Sequence, residues 1–384
     1  MDASMAIKRI KVEELEPGMY IHDLQCSYLQ HGFLFQQFLL KKPEQIQKMR
    51  KQGLQEVLID TERGCDVARR ALAPPSARVS QKQEAAVARK VMGEAQGVVH
   101  DILHDVRLGK QVDPAKAGPV VEKINESVLR NPGAMLSLCR IKEADNYTFQ
   151  HCVSVCALLV AFANAMGMDA ASVQQAGLGG MLHDVGKMRV PTEILNKPGK
   201  LTEEEFVVMK SHAALSRELL EGLPGVSTEV IQIAAEHHEK IGGNGYPQGI
   251  AGESISLLGR MAAIVDVYDA ITSNRVYHQG MEPSEALKKL LEWSGSHLDP
   301  QLVQRFIRVL GIYPVGSLVR LDSGRLAVVV EQHEDLLTPT VRMVFDSGRK
   351  LRLTPKDLDL AHGSDRIECY EDPVNWGLEP KEFL

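Results

Sequence analysis

Leu182-His183-Asp184-Val185-Gly186-Lys187 sets a nitrogen ligand directly beside a carboxylate that can bridge two cations. By itself a His-Asp pair says little, since most such pairs on helices face solvent or cap an end. The surrounding chain changes its weight. His151 lies upstream, His212 and the pair His237-His238 lie downstream, and Asp266 follows inside an apolar run. Burying a carboxylate is costly unless it is paired or holds a metal. Neither Asp184 nor Asp266 has a Lys or Arg three or four positions away, Lys187 excepted. Together these residues form a nitrogen–oxygen set with enough ligands for two ions and room for water. Such donors suit iron, manganese, zinc or nickel, and disfavour both magnesium and soft thiolate chemistry. Any one of these histidines could equally be a hydrogen-bonded core residue; the whole constellation is poorly explained that way. Cys152 and Cys156, close behind His151, read as fillers of small core spaces.

The elements that must position this set are helical. Residues 131–312 show a period near 3.6 and predict an all-α core of at least seven helices. Asp145 caps a helix carrying His151, and residues 170–183 lead into the central motif. Thr202 and Glu205 form a capping box that fixes the start of the helix bearing His212. Thr228 to about His238 carries the histidine pair, Glu253 to Thr272 holds Asp266 and Asp269, and Pro283 and Pro300 open two shorter helices. Ahead of the core, Val87, Val91, Ala95, Val98, Ile102 and Val106 recur at helical spacing over residues 84–109. Asp113-Pro114 reads as an N-cap with proline at the first helical position, opening a second helix to about Arg130. The two predict a hairpin packed on its own domain.

Residues 7–60 alternate short β pieces with one helical pattern from Pro43, a small α/β unit, and a linker around Pro74-Pro75 follows. After Pro314 the period falls to 2. SLVRL, LAVVVEQ, TVRMVFD and KLRLT, joined by glycine-containing turns, predict a small β-barrel or curled sheet, with the tail from Asp372 a loosely docked extension. The expected division is a small α/β N-terminal domain over 1–72, a linker and helical connector over 73–125, a catalytic domain over 126–313 and a small β-rich domain over 314–384.

A chain of 384 residues exceeds one ordinary domain. Its formal charge of −6 excludes a protein built to coat nucleic acid, so a polyanionic ligand must be met by a local group of cations. Six cysteines without C-x-x-C spacing favour free thiols in a reducing compartment. The start, MDASMAIKRIKVEELEPG, lacks the apolar core of a signal peptide. The longest apolar stretch, Cys152 to Met168, falls short of the ~20 residues that a spanning helix needs. These features predict a cytoplasmic protein with no membrane span.

Taken in order, Tyr147-Thr148-x-x-His151, His183-Asp184-x-Gly186-Lys187, His212, His237-His238-Glu239, Gly243-x-Gly245-Tyr246-Pro247 and Asp266-x-x-Asp269-Ala270-x-Thr272-x-x-Arg275 resemble the HD-GYP domain. That is the bacterial branch of the HD phosphohydrolases that hydrolyses cyclic di-GMP. The resemblance covers residues ~126 to 313, and the N-terminal unit looks like the uncharacterised domain that precedes HD-GYP in some of these proteins.

The resemblance implies two divalent transition-metal ions, iron or manganese first, zinc or nickel as alternatives. Asp184 would bridge them, with His151, His183 and Asp266 on one and His212, His237 and His238 on the other. A hydroxide between the metals would attack phosphorus, giving linear pGpG, with GMP as the alternative product. Lys187 would neutralise charge on the scissile phosphate, Arg275 would clasp a phosphate with its planar fork, and Tyr246 would offer a ring face or a hydroxyl. The loop Gly243–Pro247 is a place for a protein partner, and a homodimer is the alternative to a monomer. Three departures matter. Tyr147 replaces a glutamate that holds a third metal in some members, Gly242 stands where Asp or Asn is usual, and His278 stands where a Lys often contacts the second phosphate. Two rivals remain: an HD phosphohydrolase for another nucleotide, and a cyclic di-GMP sensor that does not cleave.

Overall fold

The computed structural model describes residues 7–12, 15, 19–23, 38–40, 45, 46, 49, 56–60, 79–139, 147–273, 280–333 and 337–384. The chain separates into two compact units, Met1–Pro74 and Pro75–Leu384. In the first, strands β1 (Ile7–Lys11), β2 (Tyr20–Asp23), β3 (Phe38–Leu39) and β4 (Glu56–Asp60) form an antiparallel sheet in the order β1-β4-β2-β3. Ile10, Ile21, Val57 and Ile59 of the strands meet Ile46 and Met49, whose backbone is helical, in a small apolar core.

The second unit begins with α1 (Gln81–Arg107). Ser80 and Gln83 cap it reciprocally, so it starts three residues before the expected helix. Asp113 does cap, but only a short 3-10 turn, Pro114–Lys116; the α-helix α2 (Gly118–Arg130) opens at the next proline, Pro119. Val91, Ala95, Val99 and Ile102 of α1 and Val121, Ile124 and Val128 of α2 belong to the same buried cluster as the helices behind them. The hairpin is part of the core's wall.

That core comprises α3 (Pro132–Cys139), α4 (Tyr147–Ala165), α5 (Ala170–Leu182), the short α6 (Thr192–Leu195), α7 (Glu203–Leu220), α8 (Thr228–Glu236), α9 (Leu257–Thr272), α10 (Pro283–Glu292) and α11 (Pro300–Leu310). The Thr202–Glu205 capping box is formed, and Pro283 and Pro300 open their helices as expected. α9 starts later than its sequence pattern suggests, because a 3-10 turn at Gly252–Ser254 comes first and Ser256 supplies the cap. Asp145, expected to cap α4, lies outside the described residues. The window Thr148–Ala165 of α4 is long and apolar enough to cross a membrane, yet 78% of it is buried within this protein. It is the central helix of the bundle.

The C-terminal strands, β5 (Leu318–Leu321), β6 (Arg325–Glu331), β7 (Thr340–Asp346), β8 (Leu351–Asp359) and β9 (Ile367–Tyr370), pair antiparallel in the order β8-β7-β6-β5-β9. Of the two expected forms it is the sheet that is seen, not the barrel: among the described residues β8 and β9 are the edges of an open sheet. One face packs Val319, Leu321, Ala327, Val329 and Val341. The other packs Leu318, Leu326, Val328 and Val344 against Leu378, Trp376 and Phe383 of the tail. The tail is thus firmly seated, with Arg342 donating to the Phe383 carbonyl at 2.6 Å and Trp376 Nε1 to Glu371 at 2.9 Å. Leu, Trp and Phe in this tail are the cover that makes closure into a barrel unnecessary.

Candidate metal centre

Five helical elements each deliver one or two polar side chains to a single point inside the bundle. His151 comes from α4 and His183 from the C-cap of α5, with Asp184 following as the chain turns into the 3-10 helix Val185–Arg189. His212 comes from α7, His237 and His238 from the end of α8, and Asp266 from α9. Gly186 permits the approach of α7: a Cβ there would lie 2.1 Å from the His212 carbonyl oxygen. In its place the Gly186 N–H donates to Ser216 Oγ at 2.8 Å. Any side chain at 186 would drive His212 away from Asp184.

The two oxygens of Asp184 face different partners. Oδ2 lies 3.5 Å from His151 Nε2, 3.2 Å from His183 Nε2 and 2.5 Å from Lys187 Nζ. Oδ1 lies 3.3 Å from His212 Nε2 and 3.8 Å from His237 Nε2. Asp266 is divided in the same way, Oδ1 being 3.0 Å from His151 Nε2 and Oδ2 being 3.8 Å from His238 Nδ1. Two groups of donor atoms result, His151-His183-Asp266 and His212-His237-His238, each gathered within 4.8 Å.

These residues fit metal binding on grounds visible in the structure. His183 Nε2 and Asp184 Oδ1 are buried and have no hydrogen-bond partner, a costly arrangement without a cation between them. Four of the five rings are fixed through the nitrogen that faces away. His151 Nδ1 is 2.6 Å from Asp269 Oδ2, His183 Nδ1 2.8 Å from the Gly180 carbonyl, His212 Nδ1 2.7 Å from the Met209 carbonyl and His237 Nδ1 3.0 Å from the Ala234 carbonyl. A carbonyl oxygen only accepts, so those Nδ1 atoms carry the proton and leave Nε2 bare toward the centre.

The electrostatics split along the same line. Burial opposes the cationic forms of His151 and His183, but the facing carboxylates outweigh it, Asp184, Asp266 and Asp269 at His151 and the charge of Asp184 with Asp266 at His183, and raise them to about 10 and about 9. Burial dominates in the other group and pushes His212 down to about 4, His238 to about 3 and His237 well below the usual value. The field that favours a proton on the first pair favours a metal cation there equally. The second group stands ready as neutral nitrogen donors. Asp184 and Asp266 stay ionised: burial acts against them, and the facing histidines, with Lys187 at Asp184, overcome it.

Cys152 is closer to this chemistry than its sequence suggested, its sulfur lying within 4.8 Å of ligand atoms of His183 and Asp184. Burial and the surrounding carboxylates push its thiol up, so it remains a protonated core residue. Cys156 is buried away from the set. Tyr246 packs its ring, tilted, against His238 with centroids 4.6 Å apart, and burial raises its hydroxyl well above the usual value. Its loop is tied down by Glu239, a buried carboxylate that accepts from the N–H groups of Gln248 at 2.7 Å and Gly249 at 3.0 Å. Gly245 passes so close that a Cβ would meet the Glu239 backbone at 2.4 Å. Glu239 and Asp269 were part of the sequence pattern without a role attached. The signal available was an acidic residue one position from a candidate ligand for Glu239, and three positions from one in an apolar run for Asp269. Arg275 and His278, expected to meet phosphate, lie outside the described residues.

The HD domain family, whose members are metal-dependent, matches residues 131–302, and a domain of unknown function, DUF3391, matches residues 7–117. A cyclic di-GMP phosphodiesterase of Pseudomonas aeruginosa is 42% identical over 389 aligned positions, spanning 97% of this chain and 94% of that protein. A probable cyclic di-GMP phosphodiesterase of Vibrio cholerae is 45% identical over 133 positions, 33% of this chain and 30% of that protein. The 3'3'-cGAMP-specific phosphodiesterase 1 of Vibrio cholerae is 36% identical over 176 positions, 46% of this chain and 41% of that protein. The chain belongs to the HD-domain phosphohydrolases, within the HD-GYP cyclic di-GMP phosphodiesterase family, and carries a DUF3391 domain in front of its helical core.

Proposed function

We propose that this protein hydrolyses cyclic di-GMP to linear pGpG, and on to GMP, at a dinuclear metal centre in a catalytic domain spanning residues 126–313. The observation that carries the reading is the division of Asp184, whose two oxygens address two separate sets of imidazole nitrogens. His151, His183 and Asp266 would hold one divalent ion and His212, His237 and His238 the other, with Asp184 shared. Bound there, iron or manganese (zinc or nickel in their absence) would supply Lewis acidity and an activated water.

The chain's own residues account for the rest of the chemistry. Attack by water oxygen on phosphorus breaks the bond to a ribose 3′-oxygen, which leaves with a proton. Lys187, fixed by Asp184 at 2.5 Å, keeps a positive charge beside the phosphate as negative charge grows on its oxygens. Asp269 holds the His151 ring in register. Tyr246 presents its ring at the mouth beside His238, and Arg275 and His278 would meet phosphate. The Gly243–Pro247 loop, braced by Glu239, is the surface offered to a protein partner.

The long match to the Pseudomonas aeruginosa enzyme favours cyclic di-GMP over 3'3'-cGAMP, since the 3'3'-cGAMP-specific relative aligns over less than half of its length. The test is metal analysis of anaerobically purified protein coupled to turnover of both cyclic dinucleotides, with products separated chromatographically. Expected are two metal equivalents per chain and faster opening of cyclic di-GMP. Full activity with one metal removes the dinuclear mechanism, preference for 3'3'-cGAMP removes the substrate assignment, and tight binding without cleavage makes the protein a sensor.

A further inference from the structure

The geometry points to Lys210 as a second substrate-contacting cation, one that meets the phosphate of a cyclic dinucleotide not held at the metal centre. This rests on the reading of the site as a cyclic-dinucleotide phosphodiesterase. Such a ligand carries two phosphates across its macrocycle, and the metal centre engages one. The other needs cationic contacts of its own, and Lys210 would supply one beside Arg275 and His278. Lys187, fixed by Asp184 at 2.5 Å, serves the phosphate at the metal centre.

Lys210 is differently placed. It stands one helical turn after Phe206 on α7 and two residues before His212, and among the described residues its ammonium has no carboxylate partner. Two rings hold it instead: Nζ lies 4.6 Å from the centroid of Phe206 and 5.6 Å from that of Tyr246. Both are within the range in which a ring face attracts a cation. Tyr246 in turn packs, tilted, against His238 and meets His212 edge-on at 6.3 Å. An unpaired ammonium is therefore fixed over the ring that borders the three-histidine group. Phe206, 47% exposed, finds in this stack a reason to be aromatic at the surface. Two aromatic faces restrict the lysine without neutralising it, so the charge stays available to an incoming phosphate. As a compact point charge, Lys210 tolerates either cyclic dinucleotide and selects for the second phosphate alone.

The experiment compares K210M and K210R with the parent protein, all metal-loaded and with metal content measured. Substrates are cyclic di-GMP, 3'3'-cGAMP and bis(p-nitrophenyl) phosphate, a diester with a single phosphate. K210M keeps the aliphatic stem and is expected to lose about ten- to a hundredfold in kcat/KM on the cyclic dinucleotide that the parent cleaves, chiefly through KM, as for one charge-assisted hydrogen bond. The loss on bis(p-nitrophenyl) phosphate should be several-fold smaller, and K210R should recover most of the dinucleotide activity. Equal losses on both kinds of substrate, or a K210M that matches the parent on the dinucleotide, overturn the role of Lys210 alone. A parent that cleaves neither cyclic dinucleotide overturns this assignment together with the function it rests on.

Discussion

Glu84 and Asp184 are both buried carboxylates, and the protein stabilises them by opposite means. Glu84, on α1, has its full complement of partners within the chain. Ser127 Oγ donates to it at 2.7 Å, and Arg130 grips both oxygens with Nε at 2.8 Å and Nη2 at 2.9 Å. Burial works against the Glu84 anion, but Arg130 and Ser127 outweigh it and hold its carboxyl below the usual range. Asp184 sits among imidazoles whose bare nitrogens face it, and one of its oxygens has no hydrogen-bond partner. A carboxylate that finishes its own bonding is part of the scaffold. One whose free oxygen and several ring nitrogens converge on a single point is arranged for a cation.

Deleting each carboxylate should have opposite outcomes. Asp184→Ala should abolish measurable turnover and lower metal content in both halves of the centre, whereas Glu84→Ala should keep both once the protein is folded. Elemental analysis with a turnover assay decides it, and two metals retained in the Asp184 variant would refute the shared-ligand arrangement. Next in size is Asp269→Asn, which leaves the donor atoms of the centre intact but weakens the support of His151. A loss of about 10- to 100-fold in metal affinity or activity is expected, read by competition with a chelator; unchanged affinity would make Asp269 a bystander.

Smaller, and confined to stability, is Glu84→Gln, which strands the Arg130 guanidinium. Because Arg130 is still in contact with water, the expected cost is about 3 kcal/mol, the low end for breaking a buried pair, measured by urea unfolding. Smallest is the pH dependence of that difference. With its folded carboxyl below an unfolded value near ~4.3, Glu84 contributes fully above that value and loses its contribution as pH falls through the folded one. The stability gap between parent and Glu84→Gln should therefore be constant from pH 7 to 5 and narrow progressively below about pH 4. A gap that widens in acid would contradict the sign.

How much of this was legible in the sequence follows from how local each signal is. His183, Asp184, Gly186 and Lys187 are nearly consecutive, so the carboxylate, its neighbouring imidazole and its lysine could be read as one group. His151, His212, His237, His238 and Asp266 could be named but not grouped by geometry, because their convergence depends on how five helices pack. Asp269 and Glu239 were visible as acidic residues, but their jobs exist only through contacts with His151 and with a loop nine residues on. In the C-terminal sheet, Ile367–Tyr370 is too short to show alternation and was missed as a strand. Closure into a barrel was beyond reach, since it depends on which edges pair. The seated tail hid for the same reason: Trp376, Leu378 and Phe383 have partners only across the chain. A helix start moved from Asp113 to Gly118 because capping chemistry is identical for a 3-10 turn and an α-helix.

The central helix has a consequence during synthesis. Its window Thr148–Ala165 could pass for a membrane anchor, and what hides it includes helices made afterwards. α5 emerges almost at once, but α9, which carries Asp266, is completed roughly a hundred residues later. At translation rates of about 5–20 residues per second, that leaves the apolar stripe without this cover for roughly 5–20 s. Deletions that remove α9 should therefore yield a chain that leaves part of this stripe uncovered and engages chaperones or membranes.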